Sequence, residues 1–138
     1  MKNRITKLML LPFLLIITNS LFAGNIVLVN ETDYPTKDKT SKVAVQWANN
    51  GNEIETENIA LSYGDELTPQ SIQPIAKKGK VNLVFPENAQ YFRVIVWSNE
   101  ETKNPDLVTD WLMITPNQSY TLMPEHLIPS ALMAGTGC

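Results

Sequence analysis

Residues 91–97 read Tyr91-Phe92-Arg93-Val94-Ile95-Val96-Trp97. Every one of them except Arg93 is aromatic or β-branched, the side chains that fit a pleated, half-buried surface. Successive side chains of a strand point to opposite faces, so Phe92, Val94 and Val96 form one purely apolar face and belong to a core. Tyr91, Arg93, Ile95 and Trp97 share the other.

Working downstream, Ser98 to Asp106 is a polar, charged loop. Val108 to Ile114 reads as a further strand, with Val108, Leu112 and Ile114 on the core side and Asp110 as the exception. Trp111 then points the other way and joins Tyr91, Arg93 and Trp97 if the two strands are neighbours. Thr115-Pro116-Asn117 closes that strand, and Ser119 to Met123 forms the last one. His126 to Gly137 is apolar and small, with Pro129 inside it.

Working upstream, Val81, Leu83 and Phe85 share a parity and are closed by Pro86. Ala76 to Gly79 is a turn. Leu67 to Pro74 holds two prolines and reads as irregular. Ile26 to Val29 is a continuous apolar strand, Asn30 to Lys42 a polar loop, and Val43, Val45 and Trp47 alternate as another strand. Asn49-Asn50-Gly51-Asn52 follows, and Asn-Gly between apolar runs is a strong hairpin signal. The returning strand then starts at Glu53 or Ile54. It carries a conflict, because Glu53, Glu55 and Glu57 share a parity with Ile59, Leu61 and Tyr63. Burying three carboxylates beside Ile59 and Leu61 costs too much, so either a bulge or break near Thr56–Asn58 flips the face or Glu53–Glu57 project beyond the core as an exposed ribbon.

About seven strands with turn signals at regular spacing predict an all-β fold: a single antiparallel β-sandwich, immunoglobulin-like in the broad sense. An open barrel is the competing arrangement.

The N-terminus has the three parts of a cleavable signal peptide over residues 1–23. Lys2, Arg4 and Lys7 are the positive region, Leu8 to Ile17 the apolar run, and Ala23 the small residue before Gly24. That run is well short of the roughly 20 residues of a membrane-spanning helix. The domain is therefore expected at 24–138, secreted or periplasmic. The short signal and the Lys/Asn/Ile-rich composition suggest a bacterial source. Of 11 basic residues three precede Gly24, whereas all 14 acidic ones follow it, so residues 24–138 carry a formal charge of −6. An acidic domain is a poor partner for a phosphate backbone, and no nucleic acid is expected.

Chemistry-bearing groups are sparse. His126 is the one histidine and Cys138, the last residue, the one cysteine. A zinc site needs several such ligands together, and nucleophilic catalysis needs a base beside its nucleophile. Neither pattern is present, so no catalytic residue, metal or cofactor is assigned. Cys138 is read as free or as an intermolecular disulfide, giving a monomer or a Cys138-linked dimer. An arginine flanked by aromatics on an open sheet face can stack, pair with a carboxylate or offer a flat platform. Tyr91, Arg93, Trp97 and Trp111 are accordingly the candidate contact residues for a protein or glycan partner. The expected function is that of an exported, non-enzymatic binding or accessory domain. Two alternatives stand beside it. One is a small hydrolase using carboxylates such as Glu53, Glu55, Glu57 and Asp110. The other is a membrane-active effector using the apolar tail Leu127 to Ala134.

Overall fold

A computed structural model describes residues 22–135, and side-chain environments from Gly24 to Leu132. The expected signal peptide up to Leu21, and Cys138 with the choice between free thiol and intermolecular disulfide, lie outside the described residues. The chain is mostly β, with two sheets and few helices.

The smaller sheet has the order β4-β1-β8, formed by β1 (Phe22–Asn30), β4 (Gly79–Pro86) and β8 (Ser119–Leu122). β1 runs antiparallel to β4 but parallel to β8, which corrects the purely antiparallel expectation. The connection from β1 to β8 crosses the whole molecule, so no hairpin forces the two to oppose.

The larger sheet has the order β3-β2-β5-β6-β9, with β7 also paired to β5. Its strands are β2 (Lys42–Ala48), β3 (Ile72–Ile75), β5 (Tyr91–Trp97), β6 (Leu107–Val108), β7 (Leu112–Met113) and β9 (Ile128–Pro129). The β3 strand replaces the irregular run expected there. Its Pro74 cannot donate to a ladder, and β3 is an edge strand, where proline is tolerated.

Between the sheets lies the main core. Ile26, Leu28, Leu83, Phe85 and Leu122 from the small sheet meet Val43, Val45, Trp47, Phe92, Val94 and Val96 from the large one. Phe92 and Val96 are fully buried, on the face that alternation assigns them.

Residues 51–63 are not a returning strand. They form the helix α1 (Gly51–Tyr63). Asn50 Oδ1 accepts the Glu53 N–H at 2.9 Å, and Glu53 Oε1 accepts the Asn49 N–H at 2.9 Å. These reciprocal bonds satisfy donors left open at a helix start. At the other end Gly64, at φ 72°, takes the left-handed position that ends many helices. The Asp65 N–H reaches Ala60 O at 2.8 Å and closes the turn. Helical spacing dissolves the parity conflict: Glu57 and Leu61 are buried one turn apart, while Glu53, Glu55 and Ile59 are exposed.

A second apolar cluster joins α1 to the outer face of the large sheet through Leu61, Ala44, Ile95, Val108 and Leu67. The strand expected over 108–114 is broken into β6 and β7. Thr109 interrupts it, its Oγ1 accepting the Val94 N–H at 2.9 Å. The break shifts the parity, so Val108 faces the helix side, Ile114 the inter-sheet core, and Leu112 is largely exposed. The C-terminal segment is docked rather than loose. Ile128 pairs with Val108, and α2 (Ser130–Gly135) packs against α1.

Candidate functional site

The outer face of β5 is divided by α1 into three environments. Cross-strand register places Ala48 opposite Tyr91, Gln46 opposite Arg93, Ala44 opposite Ile95 and Lys42 opposite Trp97. The helix covers the middle of this row and leaves its two ends half-buried.

Arg93 is 0% exposed. It does not stand on an open face as its aromatic flanks suggest, because α1 lies over it. Its Nε donates to Gln46 Oε1 at 2.8 Å and its Nη1 to Asn58 Oδ1 at 3.0 Å. The guanidinium carbon sits 4.4 Å from the centre of the Trp111 ring, within cation–π range. Trp111 Nε1 donates to the same Asn58 oxygen at 3.0 Å. Arg93 Nη2 has no hydrogen-bond partner among the described residues.

Gln46 passes the network on. Its Nε2 donates to Glu57 Oε1 at 2.9 Å and to Ser71 Oγ at 3.2 Å. Glu57, only 4% exposed, also accepts the Thr68 N–H at 2.9 Å. Burial pushes the Arg93 pKa down to about 10, and the attraction of Glu57 partly opposes it. Arg93, Gln46, Glu57, Asn58 and Trp111 thus form one polar clamp holding α1 on the sheet. Of these, the sequence reading singles out Arg93 and Trp111 as surface groups and misses Gln46 and Asn58.

Trp97 has a different place. Its Nε1 donates to Lys103 O at 3.2 Å, and its ring packs partly on the second apolar cluster while lining a cleft of about 1070 Å³. Part of the lining, Pro35, Thr36, Lys37, Lys39 and Ser41, comes from the loop before β2. In the same loop, but outside the lining, Asp38 Oδ1 accepts the hydroxyls of Thr36 at 2.6 Å and Thr40 at 2.8 Å, and Thr36 N–H donates to Ser41 Oγ at 2.8 Å. The Thr36 hydroxyl and then that of Thr40 hold the Asp38 carboxyl below its ordinary 3.8. Six lysines line this cleft: Lys37, Lys39, Lys42, Lys77, Lys78 and Lys103. The sequence gives no warning of it, because the six come from three segments that only the β2–β3 and β2–β5 pairings bring together.

Tyr91 is half-buried at the far end of β5, away from Trp97, so the four expected contact residues do not form one platform. The carboxylates of the hydrolase alternative are likewise split. Glu53 caps α1, Glu55 is exposed on it, Glu57 is in the clamp and Asp110 borders a second groove of about 590 Å³. His126 lines the same groove, and its Nδ1 accepts the Met123 N–H at 3.0 Å. Among the described residues no three His, Cys, Asp or Glu side chains gather as a metal site, and no helix is long and apolar enough to cross a membrane. No protein-family model matches the chain, and no curated protein matches it.

Proposed function

We propose that this chain is an exported, non-enzymatic binding or accessory domain. It acts in the periplasm or outside the cell on a two-sheet sandwich, immunoglobulin-like in the broad sense. The observation that carries the proposal is the cleft beside Trp97: a concave site of about 1070 Å³ with an indole in its wall and six ammonium groups around it. An amphipathic ring beside clustered polar groups is the composition of recognition surfaces. In this proposal Trp97 is the contact residue. Arg93 and Trp111 hold α1 on the sheet and take no part in the contact, and Tyr91 marks a separate margin.

A binding panel of glycans and of peptides with the full chain, read by titration calorimetry, tests the proposal. Trp97→Ala is expected to abolish the binding of any ligand that the parent binds, with the fold retained by circular dichroism although losing the ring's packing on the second apolar cluster lowers the melting temperature. Ligand binding that survives Trp97→Ala, or turnover of a bound ligand, overturns it.

A further inference from the structure

The lysines of this protein are segregated. Residues 24–138 contain seven lysines and one arginine against 14 acidic residues. Six of the seven lysines line the Trp97 cleft, where Glu100 is the one carboxylate among the described lining residues. Arg93 is buried in the clamp, which leaves Lys80 as the only other basic side chain on the surface of this region. The cleft lining therefore carries +5 and the rest of residues 24–138 carries −11. A polyanion is repelled by most of such a molecule and drawn to one concavity, since a cleft lined by one sign of charge focuses the field.

We infer that the Trp97 cleft binds an acidic polysaccharide, with the indole under a sugar ring and the lysines on its carboxylates. This rests on the binding reading above and names its ligand class. Four features favour a glycan with one carboxylate per ring over other anions. The cations are all lysines, which are flexible point charges. They come from three separate segments of the chain, which suits charges repeated along a polymer better than one compact anion. Trp97 stands directly across from Lys42 in the β2–β5 register, so a flat apolar surface and an ammonium lie side by side, as a uronic acid ring requires. Thr36, Asn99 and Thr102 add hydroxyl and amide groups to the lining, suited to sugar hydroxyls. The volume, about 1070 Å³, is at the upper end of small-molecule pockets and open enough for several linked rings.

An acidic peptide is the less suitable occupant. The natural way for a peptide to lie here is as a strand added to β3, and a four-residue edge with Pro74 inside it is a poor template. Single-stranded nucleic acid binding relies on several aromatic stacking partners along a basic track, and the lining offers one, Trp97.

Oligogalacturonate is the probe, measured against its methyl-esterified form, poly-glutamate and duplex DNA by titration calorimetry on the full chain. Oligogalacturonate is expected to bind, and esterification to abolish the binding. Raising salt from about 0.1 M to about 1 M shortens the screening length from about 10 Å to about 3 Å and should weaken binding strongly. Lys77 and Lys78 lie exposed in the turn between β3 and β4, so Lys77→Glu with Lys78→Glu tests the charge without touching the core. It should raise Kd by at least about tenfold. Lys77→Gln with Lys78→Gln should give a smaller rise at the same melting temperature.

Binding of poly-glutamate or DNA as tight as that of oligogalacturonate overturns the inference. So does indifference to the lysine substitutions. If the esterified, neutral polymer binds and Trp97→Ala abolishes that binding, the cleft remains a binding site and only the acidic ligand class is wrong. If no ligand in the panel responds to either set of substitutions, both the inference and the binding reading fall.

Discussion

Removing Arg93 should unsettle the whole domain, and the size of the effect follows from its surroundings. Its hydrogen bonds to Gln46 at 2.8 Å and Asn58 at 3.0 Å involve a charged donor and contribute about 1.5–3 kcal/mol each. The Trp111 ring at 4.4 Å adds about 2 kcal/mol as a desolvated cation–π contact. Burial opposes these gains. The pKa falls from 12.5 to about 10, and at about 1.4 kcal/mol per unit this is a cost to the charged form of about 3 kcal/mol. The net is about 2–5 kcal/mol. Arg93→Ala loses it, leaves a void beneath α1, and leaves Glu57 buried without its cation, so about 4 kcal/mol is the expected destabilisation. For about 115 residues, unfolding entropy makes each kcal/mol worth about 4 °C, so the melting temperature should drop by about 15 °C in a thermal melt followed by circular dichroism. Arg93→Met, which keeps the apolar stem, should cost less. In a double-mutant cycle with Glu57→Gln it should show coupling beyond the roughly 0.5 kcal/mol that separates independent sites. A melting temperature for Arg93→Ala within about 2 °C of the parent, or strict additivity in the cycle, would refute the clamp.

Three further outcomes are expected. Asn50→Ala removes the oxygen that accepts the Glu53 N–H and should cost about 1 kcal/mol in urea unfolding. Gly64→Ala, at φ 72°, should cost about as much because a left-handed residue then carries a Cβ. In an NMR pH titration Asp38 should titrate below 3.8, and Thr36→Val should move it back up. A depressed carboxyl supports the native loop above its unfolded value, and that support fades as pH falls through the native value. The loop should therefore stay ordered at pH 5 and loosen in stronger acid.

Strands with a clean two-residue period and an apolar face were legible from sequence. β1, β2, β4, β5 and β8 all lie where alternation or an apolar run marks them. The helix was hidden because half of its buried face is polar. Glu57 and Asn58 sit among Ile54, Ala60 and Leu61 on the side turned to the sheet, so the apolar residues alone trace no stripe. Asn50-Gly51 then looked like a hairpin turn. The signs to the contrary were Asn50 three residues before Glu53, Gly64 at the end, and three glutamates that no strand could place. The candidate site failed in reading for a related reason. Alternation correctly put Arg93 and Trp97 on one face, but nothing local tells that a helix covers the first and stops short of the second.

That partition makes the clamp and the cleft separable by experiment. Lys42 and Trp97 are held in register by the backbone ladder of β2 and β5 and by the core behind it, neither of which depends on the Arg93 guanidinium. Glu57 is different. Its Oε1 holds the Thr68 N–H, and Gln46, which it orients, donates to Ser71. Thr68 precedes and Ser71 ends the turn Pro69–Ser71 that leads into β3, and Pro69, Ile72 and Pro74 line the cleft. Among the described residues β3 has a ladder partner on one side only, so this turn is a main anchor of the wall. At matched loss of stability, Glu57→Ala should therefore weaken ligand binding and speed amide exchange over residues 68–75, whereas Arg93→Met should leave both nearly unchanged. Equal loss of affinity in the two variants would mean that α1 as a whole, and not the Glu57 anchor, shapes the cleft.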